Sequence, residues 1–298
     1  MWRIWVAALF WGLNWPAVKI ALEGFSPWAI RALGFCIGAT LLAALAKLLG
    51  RSLAVPAGHR TSLFISAMLN VAGFNMFVVF AQLAMPASRA AILTFTMPMW
   101  ATLFGAMFAG ERIDTLRAVA LASGAAGLAL LSRPYWPQLA SGTVPPGLIY
   151  VLGAAILWAA GTVYAKYRRI PADPVSTTAW QLGIGAAVAA IGMLIFETPR
   201  VDLSSPWVAG AFTYHVVLAL ALAYFLWFEL LERVPSGTAA LGTLLIPVFA
   251  VVGSIVLLGE RPSVTDYAGL ALILGGVALD QGLRTLRSAR TSPDTPTG

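Results

Sequence analysis

The feature that most limits the fold of this chain is a succession of apolar runs with hardly a charge inside them. They fall at roughly 4–22, 29–48, 62–84, 88–109, 116–131, 147–166, 174–196, 207–231, 237–258 and 266–283. Breaker residues stand between them: Gly24 and Pro27, Pro56 and Gly58, Pro86, Pro134 and Pro137, Pro145 and Pro146, Pro171, Pro199, Pro235 and Pro262. A helix needs about 20 apolar residues to cross a hydrocarbon core of roughly 30 Å, and it satisfies its own backbone groups where no water can. Ten such runs consume most of 298 residues and leave only short connections. The expectation is an all-α integral membrane protein with ten transmembrane helices. Only 10% of the residues are charged and 59% are hydrophobic, whereas a soluble domain carries about 25% charged residues. Too few polar side chains remain to cover a surface facing water.

The runs repeat. A shift of 147 residues places Ala7-Ala8 on Ala154-Ala155, Trp11 on Trp158, Lys19 on Lys166, Pro27 on Pro174 and Ile37-Gly38-Ala39 on Ile184-Gly185-Ala186. A shift of 149 places Pro86 on Pro235, Ala90-Ala91 on Ala239-Ala240, Thr94 on Thr243, Pro98 on Pro247, Gly110-Glu111-Arg112 on Gly259-Glu260-Arg261 and Gly127 on Gly276. The halves are residues 1–140 and 141–284, with a basic, partly disordered cytoplasmic tail at 285–298. Five spans per half is an odd number, so the halves enter the membrane with opposite topology. Inverted repeats place a solute site near the midplane, between the halves, and permit alternating access. The expected architecture is therefore two inverted five-helix repeats around a central cavity.

Charge sets the orientation. The formal net charge of +7 reads as the Lys/Arg excess of cytoplasmic loops and not as a nucleic-acid surface. With the N-terminus inside, thirteen Lys and Arg fall on inside segments, among them Arg3, Arg51, Arg117 and Lys166. Five fall outside: Arg31, Arg89, Arg133, Arg200 and Arg261. Both termini are expected in the cytoplasm. The first run holds Asn14, Pro16 and Lys19 and is preceded by Arg3 as its only basic residue, so it reads as part of the fold and not as a cleaved signal. The single cysteine, Cys36, allows no internal disulfide.

Polar and aromatic residues inside the runs are the site candidates. Trp11, Asn14, Trp15 and Lys19 share one face of the first run. Polar groups facing lipid are costly, so this face looks inward, either as an interhelical hydrogen bond with packed rings or as the wall of a solute cavity. Its mates are Trp158, Gly161, Thr162 and Lys166, small where the first half is bulky. Asn75 and Gln82 share a face of the third run, and Asn75 aligns with Tyr224, near Trp227. Amide and phenol groups suit a zwitterion, and rings suit an apolar side chain. Pro98 and Pro247 interrupt matched runs, freeing the carbonyls of Thr94 and Thr243, whose hydroxyls can help satisfy the break. They read as hinges or as packing kinks; Pro16 adds a third kink. Lys166 is positioned for pairing with Glu229, near Glu232, unless all of these snorkel to the interface. His215, alone near the start of its run, reads as a hydrogen-bonded structural residue.

Enzyme signatures are absent. Two histidines, His59 and His215, form no His-Glu-x-x-His zinc site, and there is no phosphate loop or Gly-x-Ser-x-Gly elbow. No catalytic residue, metal or cofactor is assigned.

The Phe10-Trp11-Gly12-Leu13-Asn14-Trp15 opening, the matched prolines and the two Gly-Glu-Arg endings resemble the ten-helix EamA-type branch of the drug/metabolite transporter superfamily. Within it the chain looks most like YddG-type bacterial exporters of aromatic and other neutral amino acids. The resemblance spans nearly the whole chain. It implies spans one to four and six to nine around a central cavity, spans five and ten at the periphery, and export through the bacterial inner membrane. Gly161 and Thr162 depart from the Asn-Trp pair of the first half, so that motif does not carry over. The expected partners are a small-molecule solute and membrane lipid, with no nucleic acid, in a monomer or homodimer. Exporters of nucleobases, sugars or cationic drugs, a membrane enzyme and a structural subunit are the alternatives.

Overall fold

A computed structural model of the chain describes residues 2–231 and 242–291. Among the described residues there is no strand, and Phe25 and Val201 form an isolated bridge. The principal helices are α1 (Trp2–Ala21), α2 (Pro27–Leu48), α3 (Ala57–Ala84), α4 (Ala87–Thr94 followed by Met97–Ala109) and α5 (Thr115–Ser132). There follow α6 (Pro146–Tyr167), α7 (Pro174–Phe196), α8 (Pro206–Thr213, Tyr214–Leu222 and Ala223–Leu231 in unbroken succession), α9 (Leu245–Leu258) and α10 (Val264–Thr291).

Among the described residues eight stretches, from Trp2–Ala21 to Pro206–Trp227, are long and apolar enough to cross a membrane. α9 has 14 residues; the first part of the expected ninth span, up to residue 241, lies outside the described residues, as do Glu232, Pro235 and Ala239-Ala240. α10 has 28 residues and includes Asp266 and Asp280. It runs to Thr291, into the stretch expected as a basic, partly disordered tail, because Leu286, Arg287, Ala289 and Arg290 all favour helix. Ser292 to Gly298 lie outside the described residues.

Sequence punctuation explains the helix ends. Pro27, Pro146, Pro174 and Pro206 open α2, α6, α7 and α8, where the missing N–H would be unsatisfied anyway. Gly110 and Gly259 close α4 and α9 at φ of 65° and 66°, a conformation that strains any residue with a Cβ. The next N–H turns back in each case, Glu111 to Gly105 O at 3.1 Å and Glu260 to Ser254 O at 3.2 Å. The Gly-Glu-Arg motif is thus a helix stop that throws its glutamate sideways.

Two helices depart from α geometry at matched places. Residues Ala67–Gly73 of α3 and Tyr214–Leu222 of α8 are π-helical, a rare geometry that concentrates at functional sites.

Packing follows small residues. α2 packs most extensively on α7, and α5 on α10. α5 and α10 meet through glycines: a Cβ at Gly127 would lie 2.8 Å from Ile273, and one at Gly276 2.6 Å from the Ala120 carbonyl. α1 packs on α9 and α8, and α6 packs on α4 and α3. Exchanging the halves maps α2–α7 and α5–α10 onto themselves and turns the α1 pairings into the α6 pairings. Side chains such as Met107, Phe108, Leu194, Phe196 and Val256 stay 69–77% exposed, a surface suited to lipid and not to water.

Hydrogen bonds and ion pairs gather at two opposite ends. Glu197, just past α7, caps α2 through Trp28 N (3.2 Å) and Ala29 N (2.9 Å), and Glu260, just past α9, caps α4 through Ala87 N (2.7 Å) and Ser88 N (3.0 Å). Lys19 joins the same end by donating to the Gln82 carbonyl, and Arg89 pairs there with Asp266 at 2.8 Å. The opposite end holds Arg51 with Asp173 (3.2 Å) and Glu229 (2.5 Å), and Lys166 and Arg117 with Glu111. Consecutive helices therefore run in alternating directions.

Candidate functional site

The face expected on α1 divides between two neighbours. Trp15 is buried in the core that α1 shares with α3, α4, α6 and α9, and its carbonyl accepts from Gln82 Nε2 at 3.0 Å. Trp11 and Asn14 turn to the π-helical stretch of α8. Trp11 Nε1 donates to the Ala219 carbonyl at 3.2 Å. Its ring meets Tyr224 edge-on at 5.3 Å and Trp227 at 5.5 Å. Three of the expected residues thus converge into one aromatic cluster.

Asn14 Oδ1 lies 2.8 Å from His215 Nδ1, and His215 Nε2 lies 3.2 Å from Arg31 Nη1. Arg31 and His215 are 1% and 0% exposed. Arg31 is therefore not an outside-loop residue, as the charge count has it. It sits within α2, one turn past Pro27, over the ring of Phe35. Gly34 leaves room for the imidazole, since a Cβ there would lie 3.2 Å from Nε2.

The matched link, between α3 and α6, uses a different polar residue. Asn70 of α3 donates from Nδ2 to the Trp158 carbonyl of α6 at 3.0 Å. Its Oδ1 lies 2.2 Å from where a Gly161 Cβ would be. Gly161 is small because Asn70 occupies its space. The ring of Trp158 leans on Phe74 at 4.7 Å. Thr162 is exposed and bonds the Trp158 carbonyl at 2.9 Å, and Asn75 donates to Val71 O of its own helix at 3.0 Å.

Both expected helix breaks occur. α4 is interrupted at Phe95-Thr96, ahead of Pro98, and a turn at Thr243-Leu244 precedes Pro247 in α9. The Thr94 hydroxyl does not serve the break as expected: it is fully buried and donates to Ala90 O at 2.7 Å. The carbonyl of Thr96 takes Met99 N at 2.9 Å, and that of Thr243 takes Ile246 N at 3.1 Å. Pro16 is buried within α1, and its ring would lie 3.1 Å from a Cβ at Gly253 of α9.

One expected ion pair is corrected. Lys166 bonds Glu111 and not Glu229, because Glu111 is thrown beside the end of α6 by the Gly110 turn. Glu229 is held by Arg51, with Arg3 at 3.8 Å. Arg31, Asn70 and the role of His215 escape sequence reading because each is defined by a distant partner. A pocket of about 230 Å³ lies elsewhere, lined by apolar residues including Leu13, Ala17, Trp207 and Leu257. Among the described residues no three metal-ligating side chains gather.

A family model described as the EamA-like transporter family matches residues 2–133 and 145–279. The chain is 27% identical over 279 residues to the uncharacterized transporter YvbV of Bacillus subtilis, covering 91% of this chain and 88% of that one. It is 26% identical over 273 residues to the uncharacterized inner membrane transporter YedA of Escherichia coli, with 91% and 87% covered. A Salmonella typhimurium protein named "Probable amino-acid metabolite efflux pump" is 25% identical over 305 residues, 96% of each chain. A crystal structure 23% identical in sequence shares the fold, with a TM-score of 0.62 over 95% of this chain and 98% of that one.

Proposed function

The chain belongs to the EamA-like transporter family, and from this premise we propose that it exports aromatic and other neutral amino acids across a bacterial inner membrane. It is a multi-pass membrane transporter, and the names of its family and relatives indicate a transporter and not an enzyme. The observation that carries the substrate reading is the convergence of Trp11, Tyr224 and Trp227 from α1 and α8. Rings meeting edge-on leave apolar faces suited to an aromatic or aliphatic side chain. The likeness to the Salmonella protein points the same way.

The architecture we propose is ten spans in two inverted repeats of five, 1–140 and 141–284, around a central cavity. Helix pairings that survive exchange of the halves support it, as do the matched π-helical stretches and the matched breaks. Trp11, Asn14, Trp158 and their neighbours then border the solute path, and Pro98 and Pro247 hinge the alternation, with both termini in the cytoplasm. The test is uptake of labelled phenylalanine, tryptophan, threonine and leucine into liposomes holding the purified protein, with and without a proton gradient. Saturable uptake above empty liposomes is expected; its absence for all four sinks the amino-acid reading.

A further inference from the structure

The chain of contacts from Arg31 through His215 to Asn14 has a direction that the chemistry of its members dictates. A guanidinium has only donors and stays protonated in proteins, so Arg31 Nη1 donates to His215 Nε2. A ring nitrogen that accepts carries no proton. The imidazole is therefore neutral, with its proton on Nδ1. Nδ1 donates to Asn14 Oδ1, and this orients the amide, oxygen toward His215 and nitrogen away. In a low-dielectric interior each such bond polarises the next. The chain ends on Asn14 Nδ2, whose two N–H groups have no partner among the described residues, on a residue only half-buried.

The charge at the other end is not neutralised. Among the described residues no carboxylate pairs with Arg31, and its buried Nε has no partner. An unpaired cation inside a membrane protein is costly and marks function by default. Three residues from Asn14, about 4.5 Å along the helix axis, Trp11 holds the ring cluster with Tyr224 and Trp227. A donor pair backed by a positive charge, beside an aromatic wall, complements a carboxylate attached to an apolar group.

We propose that Asn14 Nδ2, backed by His215 and Arg31, is the point where the carboxylate of the transported solute binds, with Arg31 a positioning residue that never touches it. This rests on the amino-acid reading above and names the part of the substrate it recognises. The experiment compares equilibrium binding of L-phenylalanine and L-phenylalaninamide to the purified full-length protein in nanodiscs. The wild type prefers the carboxylate by about tenfold or more, as a hydrogen bond to a charged group implies. Arg31→Gln keeps a donor for His215 but removes the charge; it retains amide binding and brings the two ligands to near parity. Asn14→Ala does the same from the other end and leaves the buried Arg31–His215 pair intact, so it serves if Arg31→Gln does not fold. A wild-type preference preserved in a folded variant overturns the assignment alone. Parallel loss of both ligands marks a structural role and overturns it too. Binding of neither compound by the wild type overturns the amino-acid reading, and the assignment falls with it.

Discussion

Single residues on α1 and α6 separate a transport role from a structural one. Asn14→Ala removes an interhelical hydrogen bond, worth on average about 0.6 kcal/mol in a membrane protein, so the variant should fold and insert while transport falls. Normal transport, or loss of folded protein, would count against a place on the solute path. Gly161→Ala works in the opposite sense, because its methyl group would sit 2.2 Å from Asn70 Oδ1. Overpacking of this kind costs about 1–3 kcal/mol. Adding Asn70→Ala should recover most of that loss, and thermal midpoints of the two single variants and the double variant check the coupling. Trp11 and Asn14 are legible in the sequence because a polar stripe at helical spacing stands out from an apolar run. Their partners are not. His215 lies 201 residues from Asn14 and 184 from Arg31, and no local pattern records such a meeting. Asn70 is hidden for the same reason: its function is to fill the space beside a glycine on another helix.

At the level of helices, the breaks are readable and the π-helical stretches are not. Proline announces itself, since it cannot donate and its ring displaces the carbonyl four residues back. No residue type marks Ala67–Gly73 or Tyr214–Leu222, whose widened turns arise from what packs against them. The Gly-Glu-Arg endings lie between these cases. The sequence displays them as a repeat, but the capping of α4 by Glu260 appears only when α9 is placed beside it. If the breaks flex during transport, Pro98→Ala and Pro247→Ala should each let the helix close over its gap. Transport should slow more than substrate affinity changes, because the binding groups remain, and stability should hold or rise slightly. Transport rate and equilibrium binding on both single variants and the double variant decide the matter. Full speed in the double variant would reduce the prolines to packing features.

For the whole molecule, the sequence displays the helices as apolar runs but does not say which of them pair. It leaves open which end of the molecule is tied more tightly. If the halves are opposed in topology with both termini in the cytoplasm, as proposed above, Glu111 lies inside and Glu260 outside. Single cysteines at these positions, in a Cys36→Ala background, should therefore differ in labelling by an impermeant thiol reagent on intact cells. Equal labelling would refute the opposition. The two ends also differ in what holds them. At one, Glu197 and Glu260 are bound to helix N-termini and Lys19 to a backbone carbonyl; at the other, Lys166 reaches Glu111 with half of its side chain in the open. Dissolved ions screen exposed charges beyond a Debye length of about 8 Å at physiological ionic strength, and about 3 Å at 1 M, but they barely reach a carboxylate capped by buried amides. Added salt should thus weaken the Lys166 end and spare the other, which makes ionic strength a one-sided lever on the shape of the protein. Hydrogen exchange at residues 109–117 and 164–170, rising with salt while residues 84–90 and 197–203 hold steady, is the signature to seek.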